Sequence, residues 1–209
     1  MSINPIFVIK KIKLKLDLIK NGLSTEQLQH YQSSFDSMQQ DLDLINQVEQ
    51  GNKASIDWRQ YSRICWNIFD KLVAIDSHMN KDFLHQNQAN FLQVYKSLFN
   101  LVDNQYSLEL DQMHQYYAKL SDSNKAKVDS IDSYLESIDA IRESLTQLLA
   151  SLTLIDKKDE LIANLNYLKV LSELIQLRTS LDCEKLSVYD EESFIPDEVP
   201  NDSLKEKDQ

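Results

Sequence analysis

Apolar residues recur along this chain in steps of three and four, the spacing that places side chains on one face of an α-helix. Ile6, Ile9, Ile12, Leu16 and Ile19 form the first such series, with Asn4 and Pro5 in front of it as N-cap and first helical residue and Gly22 behind it as a stop. The same stretch alternates strictly from Ile12 to Leu18, a strand-like pattern. Helix is the better reading, because a strand needs a partner and no second strand pattern is present. Ser24 and Gln27 make a capping box ahead of Leu28, Tyr31, Phe35, Met38, Leu42 and Ile45, and Gly51 closes that helix.

A third helix is predicted to open near Ser55 or Asp57. Tyr61, Cys65, Ile68, Leu72, Ile75, Met79 and Phe83 then alternate steps of four and three, the heptad spacing of helices packed side by side. The polar patch His85–Asn90 reads as a turn. Phe91, Tyr95, Leu98, Val102, Tyr106, Met113, Tyr117 and Leu120 carry a fourth helix, with a further break near Asp103–Gln105 compatible with the sequence. Ser121–Asn124 reads as the next connection. Val128, Ile131, Leu135, Ile138, Leu145, Leu148, Leu152 and Ile155 form the longest regular seam. It continues through Ile162 to Leu165, so residues 125–182 read either as one helix, about 87 Å long at 1.5 Å per residue, or as a hairpin turning at Lys157–Glu160.

Composition reinforces the helical reading. The chain of 209 residues has two glycines and three prolines, and no proline falls between Ile6 and Ile195. Hairpin and barrel folds consume turn glycines in number. The expected fold is therefore all-α: a bundle of long helices with coiled-coil-like packing over residues 1–186, followed by an acidic, mostly disordered C-terminal tail over residues 187–209. In that tail helical periodicity stops, and eight acids and two bases surround Pro196 and Pro200. No apolar stretch reaches the roughly 18 residues of a membrane span. The first apolar run, Ile6–Ile9, has its lysines after it rather than before, unlike a secretory signal. Cys65 and Cys183 match no metal or redox spacing, and a reducing, cytoplasmic setting is the simplest expectation.

Formal net charge is -11 and unevenly spread. Residues 1–20 hold five lysines against Asp17, whereas residues 21–52 hold five acids and no Lys or Arg. Lys10, Lys11, Lys13 and Lys15 form the one basic cluster. With Ile6, Phe7, Val8 and Ile9 it resembles a weak surface-anchoring helix, or else a lysine rim around a helix packed on the body, paired with the acids that follow. Elsewhere Lys and Arg are not clustered as phosphate neutralisation requires, so the expectation excludes direct nucleic-acid binding and favours no membrane contact.

Chemistry-bearing patterns are few. Asp82/His85 and Asp111/His114 repeat an Asp-x-x-His that is similar to the carboxylate–histidine pairs of metal-binding bundles, but helix geometry sets them far apart. His78, Asp82 and His85 could share a face, yet no fourth ligand or Glu base stands near. Gly22 and Gly51 are isolated, so no phosphate-cradling loop exists. Cys65 lies in an apolar stripe and reads as an inert core thiol. Trp58, Tyr61, Trp66 and Phe69 read chiefly as core, while the adjacent Tyr116 and Tyr117 cannot both face one core. No converging acid, base or nucleophile is found, so the expectation is no enzyme and no cofactor.

The favoured function is a non-catalytic helical interaction or scaffold protein, an accessory subunit of a larger assembly with protein partners in a hetero- or homo-oligomer. Two alternatives stand beside it: an acidic inhibitor or immunity-type protein that occludes a basic target site, and a metal-binding helical-bundle enzyme. The tail offers Tyr189, Phe194 and Ile195 as candidate docking residues, with Asp190, Glu191 and Glu192 to meet cations on a partner or on the Lys10–Lys15 cluster. Such a segment is too polar to offset its own ordering entropy. Deleting residues 187–209 is expected to change folding stability by less than about 0.5 kcal/mol in denaturant titration; a larger loss would show that the tail belongs to the folded body.

Overall fold

The computed structural model describes residues 3–52, 56, 58–119, 122, 125, 136, 139, 140, 142–150, 158–170 and 173. Among them there are helices, turns and no strand. The acidic tail, with Tyr189, Asp190, Glu191, Glu192, Phe194 and Ile195, lies outside the described residues. So do Val128, Ile131, Leu135, Ile138, Leu152 and Ile155 of the long seam.

Four helices open the chain: α1 (Pro5–Asn21), α2 (Thr25–Glu49), α3 (Trp58–His78) and α4 (Lys81–Tyr117). Helical residues 142–150 and 158–170, here α5 and α6, follow. Local chemistry sets the ends of the first two. Asn4 Oδ1 accepts the Phe7 N–H at 3.4 Å, with Pro5 just inside the helix where its missing donor is not needed. Ser24 and Gln27 form the expected reciprocal box, at 3.2 and 3.0 Å. At the far end of α2 the Gly51 N–H bonds Val48 O and the Asn52 N–H bonds Gln47 O, both at 2.9 Å, with Gly51 at φ +71°. That is a Schellman motif, and its left-handed residue favours glycine. Gly22 serves differently: a Cβ there would lie 3.1 Å from the Phe83 ring and the Asn87 amide, so its lack of a side chain lets α4 approach the end of α1.

The alternating stretch of α1 is helical throughout. Ile9, Ile12, Leu16 and Ile19 are buried, while Leu14 and Leu18 point to solvent, so the alternation is a by-product of apolar residues on two helix faces. Two expected breaks are corrected. The turn between α3 and α4 is Met79–Asn80, not His85–Asn90. Asn80 caps α4 by accepting the Phe83 N–H on Oδ1 at 2.8 Å and the Leu84 N–H on its carbonyl at 3.0 Å. The expected break at Asp103–Gln105 is absent as well, and α4 runs unbroken for 37 residues, about 55 Å. The apolar register hides the true turn, because Met79 and Phe83 remain buried on either side of it.

The helices pair in chain order. α1 packs on α2, and α3 on α4; α1 also lies against α4, and α2 against α3. α5 and α6 cover the other flank of α3 and α4. Along α4, Phe83, Asn87 and Asn90 look toward α1, whereas Asp103, Tyr106 and Ser107 meet Arg142 of α5. At 100° per residue these are opposite sides of one helix. Residues 140–148 and 160–167 line a common furrow. A straight helix would hold residues 144 and 164 about 30 Å apart, so the two segments lie side by side and not in one straight rod. The turn expected at Lys157–Glu160 is corrected, because residues 158–160 already belong to α6.

One apolar core runs through these layers, from Ile9 and Leu42 through Leu72 and Leu98 to Leu145, Leu161 and Leu165. Along its middle, Trp66, Phe69, Tyr95, Phe91 and Phe83 form a chain of ring contacts with centroids 5.3–6.4 Å apart. Cys65 is fully buried there, and burial pushes its thiol up, keeping it protonated and inert. Leu145 is the member of the long seam in α5 most deeply buried in this core. Leu145→Asp should cost at least about 3 kcal/mol in chemical denaturation, because an unpaired carboxylate would lose its water against apolar neighbours. An unchanged midpoint would mean that α5 does not pack on the body in solution.

Candidate functional site

The basic cluster on α1 does not act as a unit. Lys13 pairs with Asp43 of α2, and Lys15 Nζ donates to Asn90 Oδ1 of α4 at 3.1 Å. The two reach out to opposite flanks, which is the packed-rim reading with an acid from residues 21–52 as partner. Lys10 and Lys11 remain exposed. Beside them the outer face of α1 carries three large apolar side chains, Phe7, Leu14 and Leu18, at 68%, 58% and 43% exposure. Phe7, Lys11, Leu14 and Leu18 follow steps of four, three and four, so they form a single stripe.

Of the aromatic residues, Tyr61, Trp66 and Phe69 are buried, in line with a core role. The side chains of Trp58, Tyr116 and Tyr117 lie outside the described residues. His78 ends α3, its Nδ1 2.6 Å from the Ala74 carbonyl of its own last turn. Asp82, His85, Asp111 and His114 all belong to the continuous α4. The two Asp-x-x-His pairs are therefore about 43 Å apart and cannot share an ion. No group of three His, Cys, Asp or Glu suited to a metal ion occurs among the described residues. Likewise, no described helix is long and apolar enough to cross a membrane.

Polar chemistry concentrates where α5 and α6 meet the middle layer. Asp76 of α3 is 1% exposed in the midst of the core. The Tyr95 hydroxyl donates to its Oδ2 at 2.8 Å, and Lys158 of α6 makes an ion pair with its Oδ1. Burial, then the charge of Asp76 and the bond to it, push the Tyr95 hydroxyl far up, so it stays a donor. Further along, Arg142 of α5 pairs with Asp103 through Nε and with Asp139 through Nη1 at 2.6 Å. It also donates from Nη2 to Ser107 Oγ at 3.2 Å and lies 5.3 Å from the centre of the Tyr106 ring. Burial pushes the Asp103 carboxyl up, against the lowering pull of Arg142. A third link joins Lys169 of α6 to Asp70 of α3 at 2.5 Å. In each link α5 or α6 brings the cation and the middle layer the acid.

A cavity of about 240 Å³ opens beside the first link, between the start of α4 and α6. Asp76, Lys81, Leu84, His85, Gln88, Phe91 and Lys158 line it. The buried Gln88 Nε2 has no acceptor among the described residues. Of these residues only His85 stands out in the sequence as a chemical candidate. A lone Asp inside an apolar heptad is the available signal for Asp76, but its partners lie 19 and 82 positions along the chain.

The chain matches no protein-family model, no curated protein and no solved structure. Its surfaces are therefore what bears on function.

Removing one partner of a buried ion pair strands the other. Lys158→Met is expected to cost about 3–5 kcal/mol, and Asp76→Asn placed on that background should restore most of the loss, because the amide oxygen still accepts from Tyr95. A double-mutant cycle in urea measures both steps. A silent Lys158→Met would show that Asp76 reaches water without it.

Proposed function

We propose that this chain is a non-catalytic helical interaction subunit of a larger protein assembly, working in the cytoplasm, and that the outer face of α1 is its contact surface. The observation that carries the reading is the stripe of Phe7, Leu14 and Leu18 with Lys10 and Lys11 beside it. Single apolar side chains are common on protein surfaces, whereas three on one face of one helix favour contact with a partner. Their spacing of seven and four suits the seam of a two-helix, coiled-coil-like contact. The two lysines favour a partner helix that is apolar on one face and acidic along its edge.

The inhibitor reading draws less support. Of the acids in residues 21–52, Asp41 and Asp43 are already engaged by Lys71 and Lys13, so less charge is free for a basic target than the sequence suggests.

Phe7→Ser/Leu14→Ser tests the reading. Both residues are exposed, so folding stability should change by less than about 0.5 kcal/mol. Size-exclusion chromatography of the protein at native abundance should show the wild type in a larger species, identifiable by mass spectrometry, and the variant at the monomer position. A homo-oligomer would appear as a larger species that contains this chain alone. A variant that still co-elutes with the assembly would rule out this face as the seat.

A further inference from the structure

We propose that the cavity between the start of α4 and α6 binds a small organic carboxylate, its charged end among Lys81, His85, Gln88 and Lys158 and its hydrocarbon part on Leu84 and Phe91. Asp76 sets the character of this cavity. Both of its oxygens are engaged, one by the Tyr95 hydroxyl and the other by Lys158. Asp76 thus has a donor on each oxygen, and it fixes the Lys158 ammonium at the wall. An ammonium carries three protons, and the bond to Asp76 uses one of them.

The other polar side chains of the lining bring donors: the Lys81 and Lys158 ammoniums, the Gln88 amide and the His85 ring. Gln88 Nε2 is buried and lacks an acceptor among the described residues, a condition that costs free energy until something supplies one. Lys81 and His85 stand at the mouth, exposed. Lys81 and Lys158 against Asp76 leave one positive charge, which a monocarboxylate would cancel. The site also lies over the first two turns of α4, the positive end of that helix. Its first amides are already capped by Asn80, so the backbone contributes field rather than hydrogen bonds.

Size and lining narrow the class further. At about 240 Å³ the cavity falls below the roughly 300–1,000 Å³ typical of drug-sized ligands. It holds the volume of about eight waters, enough for a carboxylate bearing a short chain. Phe91 and Leu84 give that chain an apolar floor, which an inorganic anion would leave unused.

The full-length protein is titrated with hexanoate, with hexylamine as the cation of similar shape, and with inorganic phosphate as the anion without a chain. Calorimetry reads affinity and stoichiometry; nuclear magnetic resonance follows the Gln88 side-chain amide and the His85 ring. Hexanoate should bind at one saturable site and shift both signals, while hexylamine should leave them in place and phosphate should bind more weakly. Lys81→Met/Gln88→Leu, which spares the Asp76–Lys158 pair, should weaken hexanoate at least about tenfold with the unfolding midpoint retained. Lys81→Met alone serves if the double variant folds poorly, with a smaller loss in the same direction. The proposal is overturned if hexanoate fails to saturate, if hexylamine binds as well, if phosphate matches hexanoate, or if the variants bind hexanoate unchanged.

Discussion

A carboxylate taken out of water must have its oxygens satisfied, and Asp76 meets that demand from two other helices. Tyr95 of α4 supplies a hydroxyl and Lys158 of α6 an ammonium. The middle layer and the third layer are thereby held in one register, because sliding α6 by a turn would take Lys158 away from its acid. Apolar packing of Leu161, Leu165 and Leu168 supplies attraction but tolerates such shifts more readily. A buried ion pair adds little net stability once desolvation is counted, and its value here is to fix alignment. The cavity beside it follows from the same geometry, since Lys158 is directed inward to Asp76 rather than outward to solvent.

The other two links repeat the pattern with different burial. Arg142 spreads over Asp103, Asp139, Ser107 and the Tyr106 ring, so its planar fork is used on several sides. Lys169 and Asp70 meet nearer the surface, where the Asp70 side chain is 48% exposed and salt screens the attraction. The layer interface is therefore firmest at Asp76 and weakest at Asp70. By contrast α1 and α2 sit against the middle layer mainly through apolar residues, with Lys15 and Lys71 reaching across at the edges.

Legibility in the sequence extends to what is decided locally. The Asn4–Pro5 start, the Ser24–Gln27 box and the Gly51 stop each involve residues a few positions apart, and each appears in the structure. The Met79–Asn80 turn is not legible in the same way, because Ile75, Met79 and Phe83 keep heptad register across it, and the longer polar patch that follows outweighs the short polar signal of Asn80. Whether residues 125–182 form a rod or a hairpin depends on tertiary contacts, which periodicity does not carry. The cavity is hidden for the same reason: Asp76, Gln88 and Lys158 have ordinary neighbours in sequence and meet only once α6 packs against α3 and α4.

The order of charges along the chain has a bearing on synthesis. Asp70, Asp76 and Asp103 are all translated before Arg142, Lys158 and Lys169. When the first four helices have left the ribosome, the flank of α3 and α4 that α5 and α6 will cover is still bare, and it presents Leu, Phe and Tyr side chains. Such surfaces invite aggregation in partly made proteins. Three acids stand unmatched on that flank until their cations are made, and like charge opposes the close approach of other acidic chains.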